Sequence, residues 1–296
     1  MHRENWQAVY LNQDRVLSAL KSFESIIFLA GGTGLHRFVL STAYRHSEDL
    51  DFFFPRLYPK EEAIKVANSL IETVSKNPKI KLEDKRWFKE EQTYRAWYSF
   101  EDNNEIIKVE LLNFTAHRVY DKSFLDKSIP FRTENLYNLL LYKLKALCDR
   151  PDTIKDLFDL YFILRSLPKL SLEELIYNLN LKFQEAINIR YEKEDIINAL
   201  KHNLRWDIEV GECEYFYDLQ SEIKEFQLFL KESLVNNKIL DCSYGTRVAK
   251  RAQEFDLDIN SYLELVEVIE SNSFFANEVK KYYQGYRGCI KTESNS

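Results

Sequence analysis

Two aspartates, Asp49 and Asp51, flank a leucine in "EDLDFFF", and two glycines followed by a hydroxyl residue, Gly31-Gly32-Thr33, stand a short way upstream in "FLAGGTGL". Residues two apart on a strand share a face, so the two carboxylates project together while Leu50 and Phe52 turn to the core. Adjacent unneutralised carboxylates repel, and a divalent cation bound through oxygen is one of the ordinary remedies. Glu110 in "IIKVELL" is the candidate third oxygen ligand, on the same strand face as Lys108 and Leu112 and opposite Val109 and Leu111. Three such carboxylates suit Mg²⁺ or Mn²⁺ that is completed by substrate phosphates, the arrangement of a phosphoryl transfer. The glycines let a backbone approach a triphosphate closely, and the Thr33 hydroxyl with the N–H groups of a helix start can bond its oxygens. Arg45 adds a permanent, bidentate cation for phosphate. His36 and His46 flank this segment, but a lone histidine is more often a satisfied polar residue than a ligand.

A second set lies in "LLLYKLKALCDRPDTIKDLFDLYFIL". Lys143 and Arg150 are seven apart on a helix and share a face that can hold phosphate. Asp156 and Asp159 are three apart, also on one face, where one can orient Lys143 or accept a proton from an attacking hydroxyl. Spacing does not choose between them. Each of these signals alone has a plain alternative, a turn or a solvated charged face. Their order along the chain, and the elements they fall on, carry the reading.

The elements that must position these residues are readable from periodicity. Trp6, Val9, Val16, Leu17 and Leu20 predict an opening amphipathic helix. "SIIFLA" (25–30) reads as a buried strand ended by Gly31-Gly32, a helix follows over 33–43, and "EDLDFFF" is a strand stopped by Pro55. "PKEEAIKVANSLIETVSK" is a helix with Pro59 in its first turn and a stripe of Ile64, Ala67, Ile71 and Val74. "KIKLED", "TYRAWYSF" and "EIIKVELLNF" are strands, with "EDNNE" as a hairpin turn between the last two. "RWFKEEQTYRAWY" mixes cations and aromatics in a way that can steer RNA, but reads better as a packed hairpin. After Pro130 the period is helical throughout, including "SLEELIYNLNLKFQEAI", with Ser171 as N-cap, and "DLQSEIKEFQLFLKESL". "TRVAKRAQEF" and "SYLELVEVIESN" near the end read as short helices, and "KTESNS" as a frayed tail.

The expected fold is therefore α+β: a mixed sheet flanked by helices in residues 1–130, then a helical half in 131–296 that carries the lysine and aspartate motifs. Hydrophobic residues at 45% support a packed core, and a net charge of −6 asks for a local basic patch before a nucleic-acid partner is credible. Cys148, Cys213, Cys242 and Cys289 lack zinc spacing and read as reduced thiols. No signal-type stretch or membrane-length apolar run is present, so the cytoplasm is the expected compartment.

"LAGGTGLHRF…YRHSEDLDFFF" together with the Lys143, Arg150, Asp156 and Asp159 motifs resembles the AbiEii/AbiGii toxin family, within the DNA polymerase β-like nucleotidyltransferase superfamily. The resemblance runs from about Phe28 to Leu164 and more diffusely to about Leu234. It implies transfer of NMP from an NTP by the toxin of a type IV toxin–antitoxin pair, a system class associated with phage resistance. It also implies essential lysine and aspartate residues, an antitoxin encoded next door, and an RNA acceptor such as the 3′ end of tRNA. Thr33 replaces the commoner serine, the Gly32–Asp49 interval is longer than usual, and Glu110 stands for the more frequent aspartate. A small-molecule or protein nucleotidyltransferase and a catalytically silent NTP-binding relative are the alternatives.

Overall fold

A computed structural model describes residues 6–40, 45–89, 91–113, 131–167, 170–187, 190–202 and 216–236. The opening helix, α1 (Trp6–Leu20), buries Val9, Val16, Leu17 and Leu20 as its spacing predicts, together with the polar Asn12 and Gln13. The first strand is shorter than expected, β1 (Phe28–Leu29), because the chain turns at the glycines into α2 (Gly31–Thr33) and a wider π-helical turn over Gly34–Val39. β2 (Leu50–Phe53) begins one residue after Asp49. Helix α3 (Lys60–Ser75) follows Pro59 and carries Glu61 and Glu62 in its first turn, where acids complement the helix dipole. Its buried stripe is centred on Ala63, Ala67, Leu70, Ile71 and Val74, rotated slightly from the expected one.

Strands β3 (Ile80–Phe88), β4 (Thr93–Phe100) and β5 (Asn103–Leu112) form an antiparallel meander, and the sheet order is β1-β2-β5-β4-β3. The segment "RWFKEEQTYRAWY", read as a packed hairpin, is the β3–β4 hairpin, with Trp87 paired to Tyr94 and Arg86 to Arg95. β1 is antiparallel to β2, and β2 is parallel to β5, in a register that sets Asp51 opposite Glu110. One face of this sheet is closed by α1 and α3 around Phe52, Phe54, Tyr98, Val109 and Leu111, all buried. At roughly 1.5–3 kcal/mol per buried large apolar side chain, that layer fixes which face of β2 and β5 is left for polar residues.

Beyond the sheet, residues 132–134 return to β1: Leu29 N–H donates to the Arg132 carbonyl (2.8 Å) and Glu134 N–H to the Leu29 carbonyl (2.8 Å). From there α4 (Leu136–Asp149) starts under an Asn135 cap, whose side chain accepts the Asn138 N–H. α5 (Ile154–Ser166), α6 (Leu172–Ile187), α7 (Lys193–Ala199) and α8 (Phe216–Val235) complete the described helical half. α7 was not anticipated; it is seven residues long and starts with a Glu192/Asp195 capping box. These helices share a second apolar cluster that also takes in Phe28, Ala30, Leu35 and Phe53. Phe53 lies 4.7 Å from the Tyr142 ring, so β2 reaches both clusters. "TRVAKRAQEF", "SYLELVEVIESN", the tail, and Cys213, Cys242 and Cys289 lie outside the described residues; Cys148 is a free thiol.

Candidate active site

The glycine turn is shaped by what sits against it. Gly31 has φ +64°, the left-handed region where a Cβ is costly, and a Cβ there would overlap the Asp51 carboxylate. A Cβ on Gly32 would come within 2.6 Å of Ser47 Oγ and 3.0 Å of Arg45 Nη2. The absence of side chains thus brings backbone, carboxylate and guanidinium together at one spot. Ala30 N–H donates to the Asp51 carbonyl (2.9 Å), locking the turn's height to β2.

Thr33 departs from expectation. Its buried hydroxyl donates to the Asp49 carbonyl, so it braces the approach to β2 instead of facing a phosphate. Gln13 does the same from α1, donating to the carbonyls of Ser47 (2.9 Å) and Glu48 (3.0 Å). Held in this way, Arg45, Ser47, Asp49 and Asp51 all line one cleft. Ser47 was missed by the sequence reading, although the two-residue alternation 45, 47, 49, 51 was available to find it.

Asp49, Asp51 and Glu110 meet as the parallel β2–β5 register requires. Lys108 Nζ stands 2.6 Å from Asp49 Oδ2 and 3.0 Å from Glu110 Oε1, and Arg95 Nε is 2.8 Å from Glu110 Oε1. Burial, then the charges of Glu110 and Asp49, push the Asp51 carboxyl up to about 7. Asp49 is raised too, by burial, with Lys108 opposing. Burial lowers Lys108, yet its two carboxylate partners outweigh this and hold it above the usual lysine range. Among the described residues no group of three or more His, Cys, Asp or Glu side chains is arranged to hold a metal as it stands. The Lys108 ammonium lies between two of the three carboxylates. The donor set nevertheless fits a hard divalent cation: oxygen ligands only, crowded, and already gathered around a positive charge.

The second set forms a buried web. Asp159 accepts from Arg45 Nε and Nη2 (2.8 Å each), and Lys143 Nζ lies 2.6 Å from its Oδ2 and His36 Nε2 3.1 Å from its Oδ1. Burial would raise Asp159, but Arg45 and Lys143 outweigh it and hold the carboxyl well below the usual range. Asp156 accepts from Lys143 Nζ (3.1 Å) and from Arg150 Nε (2.6 Å) and Nη2 (3.0 Å). Burial and the Arg45 charge push His36 down to about 4, against the pull of Asp159, so its ring is neutral at pH 7. The His46 ring is stacked on Trp6 at 4.2 Å and bonded to the Tyr10 hydroxyl (2.5 Å), while its carbonyl accepts from Arg45 Nη1 (2.9 Å).

Gly31, Gly32, Arg45, Asp49, Asp51, Glu110, Lys143 and Arg150 therefore line a single cleft of about 1020 Å³, whereas Thr33, Asp156 and Asp159 do not line it. Lys145, Lys155 and Asn113 are lining residues that sequence reading did not select. Asn113 clasps the loop at the lip, accepting the Tyr58 N–H (2.9 Å) and donating to the Tyr58 carbonyl (2.8 Å).

A family model, "Nucleotidyl transferase AbiEii toxin, Type IV TA system", matches residues 15–232. The chain belongs to the AbiEii nucleotidyltransferase toxin family. Two solved structures from Helicobacter pylori are similar to this AbiEii-family chain, each with a TM-score of 0.47. One is assigned provisionally as a nucleotidyltransferase, at 17% identity over 79% of this chain and 98% of that one. The other is JHP933, at 18% identity over 80% of this chain and 96% of that one. No curated protein matches the chain. The match spans the glycine turn, the paired aspartates and the helices of the buried web, and the enzyme is a nucleotidyltransferase. Among the described residues no helix is long and apolar enough to cross a membrane.

Proposed function

We propose that this AbiEii-family enzyme transfers a nucleoside monophosphate from an NTP to a hydroxyl of RNA, the 3′ end of tRNA being the first acceptor to try, with Mg²⁺ or Mn²⁺ as cofactor. What supports this is the convergence on one cleft of the glycine turn, three carboxylates from adjacent strands and the cations Lys143 and Arg150. Asp49, Asp51 and Glu110 would hold the cation, which when bound neutralises phosphate charge and polarises the reacting phosphorus. Gly31 and Gly32 leave room for phosphate oxygens against the backbone, and Arg45, Lys143 and Arg150 supply fixed positive charge. The acceptor oxygen forms a bond to the α-phosphorus, the bond to the bridging oxygen of the β-phosphate breaks, pyrophosphate leaves, and the hydroxyl proton passes to solvent. Asp156 and Asp159, already saturated by cations, act by orienting Lys143 and Arg45 and not as bases.

The division into a nucleotidyltransferase-like unit over 1–130 and a helical unit over 131–296 is part of the same reading, as are an antitoxin encoded by a neighbouring gene and work in the cytoplasm. The test is incubation with Mg²⁺, each α-labelled NTP and total cellular RNA, beside Asp49→Ala and Lys143→Ala. Label in a discrete RNA band with one nucleotide, lost in both variants, is expected. A folded, NTP-binding protein that leaves RNA unlabelled would overturn the RNA acceptor.

A further inference from the structure

Lys108 occupies a place that the chemistry of the cleft makes unusual. Its ammonium sits between Asp49 and Glu110, 2.6 and 3.0 Å from their oxygens, on the strand face that the parallel β2–β5 pairing turns toward Asp51. Lysine is a compact cation on a four-carbon stem, able to enter or leave such a position by side-chain rotation alone. Arg95 braces Glu110 from β4 but reaches neither aspartate in the described contacts. Asp51, by contrast, has no ion-pair partner among the described residues; the pocket is neutralised on two of its three carboxylates. A divalent ion shared by Asp49, Asp51 and Glu110 and the Lys108 ammonium would contend for the same oxygens.

We propose that Lys108 is a tethered stand-in cation, which holds the carboxylates together before loading and must be displaced when the divalent ion binds. This rests on the metal-dependent reading above. It makes Lys108 an internal competitor: the ion alone binds weakly, and binds well together with a nucleotide whose phosphates receive the displaced ammonium. Lys108 is thus a positioning residue that couples metal loading to NTP, and not one of the ligands.

The test is direct titration of the full chain with Mn²⁺, read by the electron paramagnetic resonance of the free ion, with and without a non-hydrolysable NTP analogue. Lys108→Met is expected to bind Mn²⁺ alone at least ten-fold more tightly than the unchanged protein, and to lose most of the gain that the analogue confers. Lys108→Gln guards against an effect of the methionine itself and is expected to behave likewise, whereas Lys108→Arg keeps the competing charge. Asp51→Asn is expected to abolish binding in every background. Equal or weaker Mn²⁺ binding by Lys108→Met and Lys108→Gln, with Asp51→Asn still abolishing it, would overturn the role of Lys108 and leave the metal reading standing. No Mn²⁺ binding by any variant, with or without the analogue, would overturn both.

Discussion

The molecule contains two carboxylate sites of opposite character a few residues apart in space. On the sheet, Asp49, Asp51 and Glu110 are crowded and short of cations, and burial pushes Asp49 and Asp51 upward, Asp51 to about 7. Under the helices, Asp159 is at least as buried, yet Arg45, Lys143 and His36 surround it and hold its carboxyl well below the usual range. The same residue type is therefore left wanting charge in one place and saturated in the other. An unsatisfied carboxylate can take up a ligand and a satisfied one can only hold its neighbours, so the three on the sheet belong to chemistry and Asp159 to positioning Arg45 and Lys143.

Asp51→Asn is the sharpest test of the first half of this contrast. Label transfer should fall about a hundred- to a thousand-fold, as when an electrostatic group acting on the transition state is removed. The thermal midpoint should hold or rise, since a crowded carboxylate has been relieved of its charge; a fall of several degrees would break the comparison. Asp159→Asn should do the reverse. It leaves the buried Arg45 without its carboxylate and Lys143 with Asp156 alone, and urea unfolding should report a loss of about 3–5 kcal/mol, with activity lost through misplacement of Arg45 and Lys143.

Acid supplies a third probe. The folded His36 pKa, about 4, lies below its unfolded value near 6.5, so between those pH values the unfolded chain binds a proton that the folded chain refuses. Stability is fully present above about pH 6.5 and is lost as pH falls toward 4, by about 3 kcal/mol for this group. Denaturation across that window should lose that slope in His36→Asn. The smallest effect is expected from Thr33→Val, roughly 1 kcal/mol, with KM for NTP unchanged because the hydroxyl serves the Asp49 carbonyl. A large rise in KM would return Thr33 to the phosphates.

What the sequence disclosed and what it hid follow the range of the forces involved. Gly31-Gly32, Asp49 and Asp51 are close in the chain, and strand alternation alone puts the aspartates on one face. Glu110 was reachable because its own strand alternates in the same way. The Lys108–Asp49 contact was not, because it depends on β2 lying parallel beside β5 in one register. Arg45 with Asp159 spans 114 residues, so nothing local hints that the guanidinium faces a carboxylate before it can face a phosphate. Thr33 was misread for a related reason: its partner is a backbone carbonyl sixteen positions on, and carbonyls leave no mark on a sequence. α7 escaped because seven residues give too few turns for a period to show.

Arg45 comes from the loop leading to β2, His36 from the turn after the glycines, and Lys143 and Asp159 from two different helices, yet all four meet at one buried point beneath the cleft. A hinge that prised sheet and helices apart would have to drag the charged members, Arg45, Lys143 and Asp159, into separation without water to receive them, a cost of several kcal/mol. The cleft is in this sense riveted at its floor. Substrate exchange is then expected to proceed by movement of side chains and lip loops over a slot of fixed width, and selectivity to depend on what shape fits that slot from the start.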